Sequence, residues 1–182
     1  MPNWCSNSLV VYGDKESLNN FNNGLVSIDG YPSILLSYFP RPEFRDTNNH
    51  ETKYDNQTYN LENFGAIDWY DWSVDNWGTK WGDCNTLLIL SNDKCLEYSF
   101  DTAWSPPIEG IQHISSKFPT LTFMLFYSEQ GMGFMGHFIV SNGVVMMQES
   151  GPYIHTAKDS DYLMDIVEYQ IEENLREAES ND

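Results

Sequence analysis

Residues 86–127, TLLILSNDKCLEYSFDTAWSPPIEGIQHISSKFPTLTFMLFY, contain the pattern from which the topology of this chain can be predicted. An apolar run at 86–90, an Asn-Asp-Lys turn and an alternating run at 96–100 predict a β-hairpin. Ser105, followed by two prolines and by isoleucines at helical spacing, predicts a capped helix. The apolar run at 121–127 predicts one more strand, so this stretch gives the order strand, strand, helix, strand.

The N-terminal residues supply the two elements that complete this topology. The run NSLVVY at 7–12 predicts a buried strand that ends at Gly13. Asp14 is a typical helix N-cap, and the apolar residues after it follow helical spacing up to Leu25. The full order predicts an α+β, ferredoxin-like split βαβ sandwich, in which an antiparallel sheet has its helices on one face.

Three further segments extend this single predicted domain, which covers residues 1–182. The first is an insertion at about 27–82, after the first helix. Within it the polar stretch 43–63 predicts a loop and 66–76 a helix. The second is a C-terminal hairpin around an Asn-Gly turn, and the third is a C-terminal helix at about 159–179.

The composition limits the classes of partner. The 182 residues include 27 acidic and nine basic side chains, for a formal net charge of −18. Affinity for a nucleic-acid backbone rests on Lys and Arg, so the charge disfavours direct nucleic-acid binding, and it equally disfavours an anionic membrane. It is compatible with a basic protein partner, including one whose groove normally holds DNA or RNA. The alternative is that the acidity serves solubility alone.

The cysteines and the N-terminus predict a cytoplasmic protein without a cofactor. Cys5, Cys84 and Cys95 are odd in number and share no metal-type spacing, so neither a disulfide framework nor a metal or iron–sulfur site is expected. The first residues lack the features of a signal peptide, and no apolar run approaches the ~18 residues of a membrane span. The sequence leaves the oligomeric state open.

Three tryptophan-bearing motifs stand out: MPNWCSN at 1–7, WGTKW at 77–81 and FDTAWSPP at 100–107. Tryptophan offers a large stacking surface, and one lysine between two tryptophans adds a local positive charge. Together they predict a concave site near one end of the sheet for a flat, nucleotide-like ligand. The alternative is a structural aromatic cluster that packs the insertion against the sheet. The candidate ligand-binding residues are Trp4, Trp77, Lys80, Trp81 and Trp104.

These motifs, in this order, resemble the signature of the YubB ferredoxin-like family, small proteins commonly carried by phages and plasmids. The segment FPTLTFMLFYSEQGMGFMGHF at 118–138 is similar to that family's strand with its Tyr-x-Glu-x-Gly turn. The resemblance covers the N-terminus and about 69–138. It implies the fold and an origin in a mobile element, but it implies no particular activity.

The predicted C-terminal helix is amphipathic and strongly acidic. Its apolar residues, from Leu163 to Leu175, fall on a stripe roughly 120° wide. Residues 159–182 contain nine acidic side chains and one arginine, a net charge of −8. The acidic face is either the solvated side of a docked helix or a partner-binding ribbon that imitates a row of phosphates. Its candidate residues are Asp161, Asp165, Glu168, Glu172 and Glu179.

We therefore expect a non-enzymatic accessory protein of a phage or mobile element that acts by binding. Its most concrete form is an inhibitor that meets a host nucleic-acid-handling or defence protein through the acidic surface. The alternative is a small-ligand or nucleotide-binding module built on the tryptophans. An enzyme of unknown reaction, using Glu129 and His137 as acid and base, is the third hypothesis.

Overall fold

The structure, a computed structural model, describes residues 3–153 of the chain. The predicted acidic helix at about 159–179 lies outside the described residues. In the described part, no helix has both the length and the apolar character needed to cross a membrane.

The described residues form a six-stranded antiparallel sheet, a small two-stranded sheet and five helices. The strands are β1 (Trp4–Tyr12), β2 (Val26–Ile28), β3 (Tyr31–Ser33), β4 (Cys84–Ser91), β5 (Cys95–Ala103), β6 (Thr122–Glu129), β7 (Phe134–Ser141) and β8 (Val144–Pro152). The helices are α1 (Lys15–Asn23), α2 (Ile34–Tyr38), α3 (Lys53–Phe64), α4 (Trp69–Trp77) and α5 (Ile108–Lys117).

The large sheet has the order β4-β5-β1-β6-β7-β8, which confirms the ferredoxin-like prediction. Strands β6, β1, β5 and β4, with α1 and α5 between them in the chain, form the split βαβ unit. The β7–β8 hairpin extends the sheet beyond β6, as the Asn-Gly turn predicts.

The main core lies between the sheet and the helices. Alternate side chains of β1, namely Cys5, Asn7, Leu9 and Val11, face this core, because successive residues of a strand point to opposite sides. Phe21 of α1 is fully buried at its centre, with the rings of neighbouring aromatic residues 5.0–6.1 Å away. The aromatic content of the sequence therefore serves packing first.

The helix starts agree only in part with the sequence. Asp14 caps α1 as predicted, since its carboxylate accepts hydrogen bonds from the backbone N–H groups of Glu16 and Ser17. The predicted Ser105 cap of α5 is wrong, because the Ser105 hydroxyl donates to the carbonyl of Gly78 instead. Helix α5 begins after Pro107 without a side-chain cap.

The insertion is more ordered than its composition suggests. The predicted loop at 43–63 is wrong in its second half, where α3 forms. Only Asn60 of α3 is buried, so the helix lacks the apolar stripe that sequence analysis looks for. The Asn60 side chain bonds the N–H and C=O of Arg45 and also the carbonyl of Ile67, which fixes the irregular chain around α3.

Asp83 joins the insertion to the sheet. Its carboxylate accepts hydrogen bonds from the backbone N–H groups of Ile34 and Leu35 at 2.8 and 2.9 Å, which caps the start of α2. It also accepts bonds from the hydroxyls of Ser33 and Thr86, at 3.0 and 2.8 Å. One side chain therefore ties α2 to the start of β4.

We expect Asp83→Ala to lower the free energy of unfolding by about 3 kcal/mol, because it leaves several part-buried donors without an acceptor. Urea unfolding followed by tryptophan fluorescence measures this change. Asp93→Ala is the matched control, since Asp93 forms only an exposed ion pair with Lys15 at 2.9 Å and should cost less than about 1 kcal/mol. Equal losses in the two variants would contradict the role given to Asp83.

Candidate functional site

The three tryptophan motifs meet at one end of the large sheet. Trp4 of β1 lies opposite Ala103 of β5, and the backbone N–H of Trp104 donates to the carbonyl of Asn3 at 3.0 Å. The Thr79 hydroxyl donates to the carbonyl of Ala103 at 2.9 Å. These contacts bring residues distant in sequence to one surface, at the sheet end that the sequence predicts.

The structure corrects the position of Trp77. Its side chain is 1% exposed, and its indole N–H donates to the carbonyl of Phe39 at 2.9 Å. Its ring lies 5.5 Å from that of Trp72 inside the core. The prediction that Trp77 lines an open site is therefore wrong, because Trp77 ends α4 on the side that faces the core.

Gly78 turns the chain directly after this buried anchor. It ends α4 in the left-handed conformation, with φ of 80°, which a residue with a side chain rarely adopts. An added Cβ would also displace the Glu109 carboxylate and lie 3.1 Å from the carbonyl oxygen of Pro106. The turn leaves Trp77 and Thr79 inside and brings Lys80 and Trp81 to the surface.

The exposed side chains after this turn belong to a continuous series of contacts. The Trp4 and Trp81 rings are 6.0 Å apart, and the Lys80 ammonium lies 5.1 Å from the Trp81 ring and 5.4 Å from the Tyr70 ring. The Trp69 ring lies 6.0 Å from that of Tyr70. We call this set, Trp4, Trp69, Tyr70, Lys80 and Trp81, the aromatic patch. Its four rings are 37–45% exposed.

Arg41 extends the series beyond the aromatic patch. Its guanidinium carbon lies 5.0 Å from the Trp69 ring and 5.7 Å from the Trp77 ring, and the group donates to the Ser73 hydroxyl at 3.4 Å. Partial burial lowers the pKa of Arg41. Arg41, Trp69 and Tyr70 are not among the site residues that the sequence predicts. The adjacent Trp-Tyr pair and the Pro-Arg-Pro triplet were the available signals.

A pocket of about 410 Å³ opens beside the aromatic patch, with Trp69, Tyr70 and Lys80 in its wall. Arg45 also lines the pocket, and its guanidinium stacks on the Tyr59 ring at 3.3 Å. The lining of the pocket thus contains two cationic side chains and three aromatic ones, the third being Phe44.

Acidic groups lie next to these cations. Asp46 and Asp68 also line the pocket, and Asp68 caps α4 through the N–H groups of Tyr70 and Asp71. Partial burial, followed by the Asp68 and Asp75 carboxylates, raises the pKa of Asp71. The mixture of charges favours a flat ligand with a small negative charge over a long polyanion.

Trp104 lies at the same end of the sheet in a strained conformation. Its φ of 74° is unusual for a bulky residue, and its side chain is 45% exposed. We keep it outside the aromatic patch, because the ring contacts that define the patch do not include it.

Glu129 and His137 do not form a catalytic pair. Glu129 shares the buried face of β6 with Tyr127, and its carboxylate bonds the backbone N–H groups of Gly131 and Met132. His137 lies opposite Phe126, so its side chain points to the other face of the sheet. The third hypothesis therefore loses its acid–base pair. Within residues 3–153 there is no cluster of metal-ligating side chains.

A family model described as a ferredoxin-like domain in Api92-like protein matches residues 76–172. No curated protein matches the sequence significantly. The crystal structure of a protein api92 from Yersinia pseudotuberculosis is similar, with 12% identity and a TM-score of 0.49. That match covers 86% of this chain and 99% of that chain.

We expect Trp77→Ala to reduce the free energy of unfolding by about 3–5 kcal/mol, because it empties part of the core and removes the bond to Phe39. Trp81→Ala is the matched control and should change it by less than about 1 kcal/mol, since Trp81 is a surface residue. Chemical denaturation followed by circular dichroism compares the two. A small effect at Trp77 would contradict its role as a core residue.

Proposed function

This chain belongs to the family described as having a ferredoxin-like domain in Api92-like protein, and we propose that it is a binding protein whose aromatic patch receives a flat, nucleotide-like ligand. The fold alone assigns no function, so the proposal rests on the site. The observation that carries it is the exposed series Trp4, Trp81, Lys80, Tyr70, in which each group contacts the next.

The exposure of these rings favours a role in binding. Large aromatic side chains stabilise a protein by burial, and four that stay half exposed together make a patch that a partner can cover. A flat ligand stacks on such rings through a face that every base possesses, which gives affinity without strict sequence or base preference.

Lys80 gives the aromatic patch its positive charge. Its ammonium sits over two ring faces, where the quadrupole of each ring attracts it. A phosphate near Lys80 would add a charge-assisted hydrogen bond, while Arg45 lines the neighbouring pocket and Arg41 lies over the Trp69 ring. Acidic side chains in the same pocket make a monophosphate a better fit than a nucleic-acid chain.

We expect adenosine and guanosine monophosphates to quench the tryptophan fluorescence of the protein in a saturable titration. Trp81→Ala should raise the dissociation constant about 10-fold to 100-fold at unchanged stability, since one stacked base is worth about 1–3 kcal/mol. Lys80→Gln should weaken the monophosphates and leave uncharged adenosine unaffected, because it removes the charge and keeps most of the side chain.

Tyr31→Ala is the control for nonspecific loss of an exposed ring, since Tyr31 is 44% exposed and lies outside the aromatic patch. It should bind like the unaltered protein. A titration that never saturates, or that Trp81→Ala leaves unchanged, would contradict the proposal.

A second candidate function rests on charge. Residues 159–182 have a net charge of −8, close to half of the −18 of the whole chain. On this basis the protein is an accessory factor of a phage or mobile element that inhibits a basic host nucleic-acid-handling or defence protein. The resemblance to the YubB family supports the mobile-element origin. The free cysteines at positions 5, 84 and 95 favour a cytoplasmic location.

We expect retention of such a host protein on the immobilised chain to fall when Asp161, Asp165, Glu168, Glu172 and Glu179 are replaced by Asn or Gln. Retention should also weaken as salt rises, because the attraction is electrostatic. Pull-down at low and high salt with mass spectrometry measures both effects. The charge-matched control replaces five other exposed acidic residues in the same way: Asp29, Glu43, Glu51, Glu62 and Asp93. Equal retention of the host protein by the unaltered chain and by both variants would contradict this candidate function.

A further inference from the structure

The face of the large sheet that points away from the helices has an apolar half. Four of its side chains lie directly opposite one another in the registers of β1, β6, β7 and β8, and so form one row across four strands: Val10, Met124, Ile139 and Met147. Successive residues of a strand point to opposite sides, and these four are on the side opposite to the main core. We call this set the apolar row.

The apolar row is buried, although the described helices pack on the other face of the sheet. Val10, Met124 and Ile139 are only 3–6% exposed. Within residues 3–153, the apolar side chains packed against these three belong to strands of the same sheet: Tyr12, Cys95, Phe126 and Met147. The buried apolar side chains of α1, α2, α4 and α5 belong to the main core instead. A sheet face meets solvent unless another layer packs on it, so the row needs a cover that residues 3–153 do not supply.

Other positions on the same face show where this cover ends. Ser6 of β1 and Ser99 of β5 share the face with the apolar row and are exposed, although both strands have a neighbour on each side. By contrast His137 is 5% exposed, and its Nε2 atom has no hydrogen-bond partner in the described part of the chain. A buried nitrogen without a partner is rare where water reaches the surface. The cover therefore lies over the Met124 half of the face and leaves the Ser6 half open.

We propose that the cover is the predicted C-terminal helix at about 159–179, docked on the apolar row through its own apolar stripe: Leu163, Val167, Ile171 and Leu175. Residues at this spacing share one side of a helix. The stripe is about 18 Å long in a helix. The apolar row, which crosses four adjacent strands, is about 14 Å long. The two surfaces thus match in chemistry and in length.

The described chain ends where the remaining residues can reach this face. The backbone N–H of Tyr153 donates to the carbonyl of Gly133 at 2.8 Å, and its hydroxyl accepts a bond from the Gln130 side chain at 3.0 Å. The chain is therefore held beside the β6–β7 turn, at one end of the sheet. Residues 154–158 span up to about 17 Å when extended. The predicted helix is about 31 Å long, and a nine-residue strand such as β1 is about 30 Å long. The helix can thus cross the face from one end of the strands to the other.

Charge determines which side of the helix faces the sheet. The apolar row has no ionisable side chain, but Glu97 lies opposite Val10 and Glu149 lies opposite His137 on the same face. An acidic side turned toward the sheet would meet these carboxylates and be repelled. The favourable arrangement therefore has the apolar stripe on the sheet and the acidic face in solvent. Docking of the helix is independent of both proposed functions and leaves the candidate partner-binding residues accessible.

Oxidation of the full chain by hydrogen peroxide tests this, because a covered methionine reacts more slowly than an accessible one. Peptide mass spectrometry follows each methionine separately. Met124 and Met147 report on the apolar row, while Met132 and Met146, which are 62% and 47% exposed, are internal references. We expect Met124 and Met147 to oxidise about 10-fold more slowly than the two references.

Ile171→Asp should raise the oxidation rates of Met124 and Met147 about 10-fold, since it places a charge in the apolar stripe and undocks the helix. Tyr169→Asp is the matched control, because position 169 falls on the opposite side of the predicted helix. It introduces the same charge and should leave both rates unchanged.

The reciprocal change is made on the sheet. Met147→Asp should speed amide hydrogen exchange in residues 163–175 about 10-fold, because the helix loses its docking surface. Met146→Asp, at the neighbouring exposed position of β8, is the control and should leave exchange as it is in the unaltered chain. Circular dichroism of each variant shows whether the sheet is intact, and Met147→Asp keeps the test valid if Ile171→Asp unfolds.

Three results would overturn the proposal. In the first, Met124 and Met147 of the unaltered chain oxidise as fast as Met132. In the second, Ile171→Asp and Tyr169→Asp change the rates equally. In the third, protection survives Ile171→Asp and Met147→Asp leaves exchange unchanged; if that protection falls on dilution, a second copy is the cover.

Discussion

The carboxylate of Asp83 is the contact on which the arrangement of this molecule depends. It accepts three hydrogen bonds from residues 33–35 near the start of a long insertion and one from Thr86, and so it fixes α2 against the first residues of β4. A carboxylate is suited to this position because it only accepts, with room for several donors on two oxygens. Without it, the first residues of α2 and the hydroxyl of Thr86 would lose their acceptor, and the insertion would be held by its other contacts alone, such as that of Trp77 with Phe39.

The short segment between Trp77 and Asp83 exposes two side chains of the aromatic patch. Trp77 is buried and Asp83 is bonded, so the residues between them are held at both ends. Two glycines with positive φ, Gly78 and Gly82, make the turns that this path needs. Lys80 and Trp81 thus reach solvent on a backbone with little freedom, which lowers the entropy lost when a ligand binds.

The sequence predicts the sheet and its helices because their patterns are local and regular. The Asn-Gly and Asn-Asp-Lys turns and the Asp14 cap act within a few residues, and the structure confirms each of them. Helix α3 escaped prediction because it buries an amide instead of an apolar stripe. The meeting of the tryptophan motifs at one end of the sheet was predicted. Trp77 and Trp81 have the same chemistry, however, and only the tertiary path of the chain separates a core ring from an exposed one.

In the hydrogen bonds that hold the tryptophan motifs together, the donor depends on the residue type and the acceptor does not. This difference affects which positions can be substituted during evolution. Trp77 and Thr79 donate from their side chains, whereas Phe39 and Ala103 accept through backbone carbonyls, which every residue type possesses. Substitution at a donor position removes the bond, while substitution at an acceptor position leaves it intact. Over evolutionary time these bonds therefore constrain the WGTKW motif, whereas Phe39 and Ala103 are constrained by their packing alone.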